Sequence, residues 1–155
     1  MDWKRRQVLY AGSSAGLLAE LAAFGVLHPG TASAQTPRAG FDAKTVTDVL
    51  SACALTPAVD SARVQLDAPE IAENGAVVPV KISTGLPRVD RIAILVEKNP
   101  IILSALFDVP EGTELSIATR VKMAETCRVI VAVRSDGKAY LASKEVKVTV
   151  GGCGG

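Results

Sequence analysis

Residues Thr113–Met123 read TELSIATRVKM, and the period within them decides the fold class. Leu115, Ile117, Val121 and Met123 fall on one side, whereas Glu114, Ser116, Arg120 and Lys122 fall on the other. Apolar residues recurring every second position describe a strand that buries one face and wets the other. Neighbouring stretches follow the same rule. TCRVIVAVR (126–134) and KAYLASKEVKVTV (138–150) flank Asp136-Gly137, a pair that favours the tight turn of a hairpin. DRIAILVEKN (90–99) sets Ile92, Ile94 and Val96 against Arg91 and Glu97 and stops at Asn99-Pro100. IILSALFDV (101–109) follows and is closed by Pro110-Glu111-Gly112.

Further upstream, NGAVVPVKIS (74–83) opens on an Asn74-Gly75 turn and sends Ala76, Val78, Val80 and Ile82 inward. Pro79 faces outward and has no N–H for a ladder, so this segment is expected at a sheet edge. ARVQLDAP (62–69) adds a short strand. About seven strands broken by turn signals, with no helix between them, indicate an all-β, immunoglobulin-like antiparallel sandwich. Little in the pattern separates a sandwich from a small barrel. One helix precedes the strands, in FDAKTVTDVLSACALTP (41–57). Val46, Val49, Leu50 and Cys53 share one helical face, Asp42 suits the N-cap, and Pro57 limits the far end.

The first 34 residues follow different rules. Lys4, Arg5 and Arg6 precede a weakly apolar run from Val8 to Leu27 that Glu20 interrupts, and Ala32-Ser33-Ala34 offers small residues for cleavage. The Arg5-Arg6 pair in that setting reads as a twin-arginine export signal, removed after residue 34. A membrane anchor fits less well, since a spanning helix needs about 20 largely apolar residues. The exported chain therefore comprises a domain over 35–150 and a tail over 151–155. Removing Lys4, Arg5 and Arg6 from seventeen basic residues, and Asp2 and Glu20 from sixteen acidic ones, leaves fourteen of each. A neutral chain whose aromatics are Phe41, Phe107 and Tyr140 lacks the cations and stacking faces of a nucleic-acid binder. The single histidine, His28, leaves with the leader. That removes a His-activated nucleophile and any histidine metal site, so neither a catalytic centre nor a metal or other cofactor is expected.

Three cysteines remain. Cys53 lies on the helix's apolar face, and Cys127 shares a strand face with Val129, Val131 and Val133. In an oxidising compartment the two could form a disulfide, or they could stay as buried thiols; spacing does not choose between these. Cys153 differs in kind. Gly151, Gly152, Gly154 and Gly155 give its sulfur no side-chain shield and leave the backbone its widest freedom. From Gly151 to Cys153 the chain spans roughly 10 Å when extended, narrow enough for another protein's pocket. The terminal carboxylate, about 7 Å away, opposes a thiolate by on the order of 0.6 kcal/mol in water. No cation or histidine stands beside Cys153 in sequence to activate it. Cys153 thus reads as a handle whose chemistry other proteins supply.

The terminal VKVTVGGCGG resembles the end of the SoxY family, the substrate-carrying subunit of the periplasmic thiosulfate-oxidising system. IAENGAVVPVKI (71–82), EKNP (97–100) and ATRVKMAET (118–126) are similar to the same family, so the likeness spans essentially the whole chain. The resemblance implies a sandwich that pairs with a SoxZ-like β-sandwich subunit and carries sulfur intermediates covalently on Cys153. A SoxXA-like haem cytochrome would attach thiosulfate, and a SoxB-like dimanganese hydrolase would release sulfate. A SoxCD-like molybdenum enzyme, where present, would oxidise the remaining sulfur. Two other readings exist. A ubiquitin-like carrier would use the Gly154-Gly155 carboxylate, which needs ATP-dependent activation in the cytosol and conflicts with an export leader. A structural module would dimerise through Cys153, an oxidation open to any exposed thiol.

Overall fold

The chain divides into Met1–Gln35 and Thr36–Gly155, and the computed structural model describes residues 38–150. Two short helices come first, α1 (Arg38–Asp42) and α2 (Val46–Ala52). Nine strands follow: β1 (Ala58–Asp60), β2 (Val64–Asp67), β3 (Ile71–Ala72), β4 (Val78–Thr84), β5 (Val89–Val96), β6 (Leu103–Asp108), β7 (Ser116–Val121), β8 (Cys127–Ser135) and β9 (Lys138–Val148). They form two sheets. The larger runs β1-β9-β8-β5-β6, with β3 also on β9; the smaller runs β2-β4-β7. The expected all-β sandwich is therefore present.

The expected hairpin forms the sheet's centre. Asp136 and Gly137 both take positive φ, 51° and 73°, between the paired residues Ser135 and Lys138. Left-handed backbone at both turn positions matches the twist of the two strands it joins. β7 keeps the predicted alternation: Val121 and Met123 are buried and Leu115 and Ile117 pack on the same core, while Ser116 and Arg120 are exposed.

Four expectations need correction. First, β5 and β8 are buried on both faces. Ile92, Ile94 and Val96 pack with Val129, Val131 and Val133 between the sheets; Ala93, Leu95, Ile130 and Ala132 face a second core beneath the helices. Both strands are near-continuous apolar runs, as strands covered on both faces must be. Second, the helix is capped by Thr45, whose side chain accepts the N–H of Asp48; Asp42 belongs to α1, and Cys53 is the C-cap. Third, Pro79 lies in the middle strand of the small sheet. Pairing with β2 ends at Asp67–Lys81, so at Pro79 the strand has a ladder partner only in β7, at Arg120. A missing N–H is tolerated at such a local edge. Fourth, the sandwich is not wholly antiparallel. β1 and β3 add to β9 in parallel, through Val59–Tyr140 and Ala72–Val148.

Candidate functional site

Cys153 and the glycines at 151, 152, 154 and 155 lie outside the described residues, as do Arg5 and Arg6. What the structure defines is the ground from which the tail departs. β9 ends at Val148, yet its backbone stays bonded for two residues more. On one flank, Thr126 Oγ1 accepts the Val148 N–H at 2.9 Å, and its hydroxyl faces the Val148 carbonyl at 3.5 Å. On the other, the Thr149 N–H donates to Ala72 O at 3.1 Å and its hydroxyl to Glu73 O at 3.0 Å. The last bond among the described residues belongs to Gly75, whose N–H donates to Val150 O at 2.8 Å.

Those partners are themselves fastened. Asn74 Oδ1 accepts the Ala76 N–H at 2.8 Å, an Asx turn that shapes the loop after β3. Gly75 O accepts the Met123 N–H at 2.7 Å. Asn99 then holds both sides of Met123: its Nδ2 donates to Lys122 O at 2.7 Å and its Oδ1 accepts the Ala124 N–H at 2.9 Å. Asn74, Gly75, Asn99, Met123 and Thr126 are the residues that sequence reasoning missed. Each lies inside one of the stretches 71–82, 97–100 and 118–126, three segments far apart in sequence that meet at the root of the tail. Two ion pairs border this end, Lys98–Glu125 at 3.4 Å and Arg128–Glu97 at 2.6 Å. The Arg128 guanidinium grips Glu97 through two nitrogens and holds its carboxyl below the ordinary range.

The two internal cysteines play a different part. Both are free and buried, Cys53 in the core under the helices and Cys127 in the core between the sheets. The large sheet lies between these cores, and no bond joins Cys53 to Cys127 in this structure. Burial pushes both thiols up in pKa; for Cys53 the nearby Arg91 opposes the shift only in part. A thiol that is buried and kept protonated is a poor nucleophile. Among the described residues no group of three or more His, Cys, Asp or Glu side chains is gathered as a metal site would need. Nor is any helix there long and apolar enough to cross a membrane.

The family model described as "Sulfur oxidation protein SoxY" matches residues 51–153, a span that takes in all of the sandwich and reaches Cys153. The chain belongs to the SoxY family. The solved sulfur carrier protein SoxY of Chlorobium limicola f. thiosulfatophilum is 41% identical, with a TM-score of 0.56 over 61% of this chain and 86% of that one. A superoxide reductase (neelaredoxin) from Ignicoccus hospitalis is similar at 18% identity and a TM-score of 0.49, covering 55% of this chain and 79% of its own. No curated protein matches. Within the SoxY frame the arrangement above has a plain chemical reading: two thiols are sealed away, and the chain is bonded up to the residue before the glycines that surround the third.

Proposed function

We propose that the protein is a covalent carrier of thiosulfate-derived sulfur, bound to Cys153 and presented on the GGCGG tail as a swinging arm. The observation that carries this reading is the sealing of Cys53 and Cys127 in separate cores, in a SoxY-family chain whose family match extends to Cys153. Loading joins the Cys153 sulfur to the outer sulfur of thiosulfate and releases one proton and two electrons. A SoxXA-like haem cytochrome takes the electrons. Water then attacks the terminal sulfonate in a SoxB-like dimanganese hydrolase, giving sulfate, two protons and a persulfide anion left on Cys153. A SoxCD-like molybdenum enzyme, where one exists, oxidises that persulfide further. The chain itself supplies no catalytic group; it supplies a tether, and a SoxZ-like subunit completes the carrier. Export through the twin-arginine pathway would place it in the periplasm with these enzymes.

Tetrathionate tests the attachment without the cytochrome. Its central S–S bond breaks, one thiosulfate joins the thiol, the other leaves as the free anion, and the thiol proton goes to solvent. Intact-mass spectrometry is expected to show a single thiosulfate adduct on the native protein and none on Cys153→Ser. A normal adduct on that variant would end the proposal.

A further inference from the structure

The Gly75 peptide stands between the body of the domain and the tail. Its carbonyl is bonded to Met123 and its N–H to Val150, and Asn99 pins the segment on either side of Met123. Beside the separate bonds of Val148 and Thr149 to Thr126, Ala72 and Glu73, one path therefore runs from Val150 through one peptide and one loop into Asn99, which lies on the turn after β5. We infer that Asn99, acting through Met123 and Gly75, is a positioning residue for the carrier arm: it holds Val150 in place and so fixes the point at which the GGCGG sequence joins the domain. The inference rests on the carrier reading of Cys153.

The physical basis is the difference between a fixed and a frayed root. With Val150 anchored, three residues of sequence separate it from Cys153, a reach of roughly 10 Å when extended. If the root frayed back to Lys147, the tether would double in length. The thiol would then sample a much larger volume, and fewer of its positions would enter a recessed site. A small reagent in solution is indifferent to that change, because it meets the thiol anywhere. An enzyme that must receive the arm at a set depth is not. Asn99 suits the task because one amide satisfies a carbonyl and an N–H at once, which neither a carboxylate nor an aliphatic side chain does.

The test compares the native protein with Asn99→Ala and, from the opposite flank of the root, Thr126→Val. Three readouts are taken: amide exchange of Gly75, loading by tetrathionate, and sulfate release from the loaded carrier by a sulfate-releasing hydrolase. In Asn99→Ala we expect Gly75 to exchange about tenfold faster or more, since both hydrogen bonds that pin the segment around Met123 are lost. Loading should stay within about twofold of native. Sulfate release should fall about tenfold in kcat, with KM for the carrier little changed, because surface docking is intact while productive entry is rarer. Thr126→Val should lower kcat in the same direction while leaving the Asn99 bonds in place. Unchanged Gly75 exchange in Asn99→Ala, or faster exchange with native sulfate release, would overturn the inference. A native protein that takes up no thiosulfate would instead overturn the carrier reading on which the inference rests.

Discussion

Cys53 and Cys127 occupy opposite sides of one β-sheet. Cys53 sits among Val49, Leu55, Leu95 and Leu103 beneath the helices, and Cys127 sits with Val129, Val146 and Met123 between the sheets. Neither is in contact with solvent to any extent that a reagent could use: Cys53 is 0% exposed and Cys127 5%. Alkylation of the reduced native protein is therefore expected to place one label per chain, on Cys153, with two more appearing only in denaturant. Peptide mapping after a timed iodoacetamide pulse measures this. Native labelling of Cys127 at the rate of Cys153 would contradict the burial on which the carrier reading depends.

Gly40 is where the N-terminal helix meets that first thiol. A Cβ at this position would lie 2.7 Å from Cys53 Sγ and 3.0 Å from Leu103 Cδ2. Real carbon contacts are longer, and neither neighbour has room to retreat in a packed core. Gly40→Ala is expected to destabilise the protein by about 1–3 kcal/mol in urea titration. Cys53→Ala creates room on the far side of the contact, so the double variant should lose less than the two single losses combined. Additive losses would mean that the two residues do not touch.

The sheet's own pattern was legible before the structure, and the helical layer was legible only in part. TELSIATRVKM alternates because water wets one face of β7, and Asp136-Gly137 marks the β8–β9 hairpin because few other pairs take left-handed backbone twice. RIAILV and RVIVAV showed the second core as well: Ala93, Leu95, Ile130 and Ala132 are too apolar to face water. Ile92, Ile94 and Val96 do alternate, but the residues between them are apolar too, so alternation describes only one of the two buried faces. β1 and β3 could not be foreseen. Strands of three and two residues have no period of their own and exist only because β9 offers an edge. The anchorage of the tail was hidden for the same reason, since Asn99, Met123, Gly75 and Val150 acquire their relationship only when remote loops meet.

Burial also sets a pH dependence. Both internal thiols titrate higher in the folded protein than when unfolded, so folding favours their protonated form. Their contribution to stability is whole below the unfolded value of about 8.5. Above it, the unfolded chain ionises and gains while the folded chain does not, so stability falls as pH rises toward the folded values. The slope cannot exceed about 1.4 kcal/mol per pH unit for each thiol. Urea midpoints measured in reductant from pH 7 to 10 should decline, and Cys53→Ala with Cys127→Ala should flatten the decline. An equally steep fall in the cysteine-free pair would assign the dependence to other groups.

The helical layer is held to the sheet by two guanidinium groups. Arg91 Nη1 donates to Cys53 O at 2.8 Å and Arg134 Nη1 to Ala54 O at 3.2 Å, so both cations meet carbonyls at the end of α2. Each is braced by a carboxylate, Arg91 by Asp108 at 2.7 Å and Arg134 by Asp90 at 2.8 Å. A helix of seven residues has little stability of its own, so its packing and its C-terminal partners decide whether it stays. Removing the better of these bonds should cost about 1.5–3 kcal/mol, the range for a hydrogen bond to a charged group. Arg91→Met keeps most of the aliphatic bulk while losing the fork, so any loss is due to the bonds. The expected effect is local as well as global: Cys53 should label faster in native buffer, whereas Cys127, in the other core, keeps its protection. Arg91→Lys should recover little, because an ammonium cannot reproduce the planar fork that reaches Asp108 and the Cys53 carbonyl together. Arg134→Met should cost less, its bond being longer. If Arg91→Met labels Cys53 no faster than the native protein, α2 is held by its apolar face alone and the guanidinium contacts are incidental.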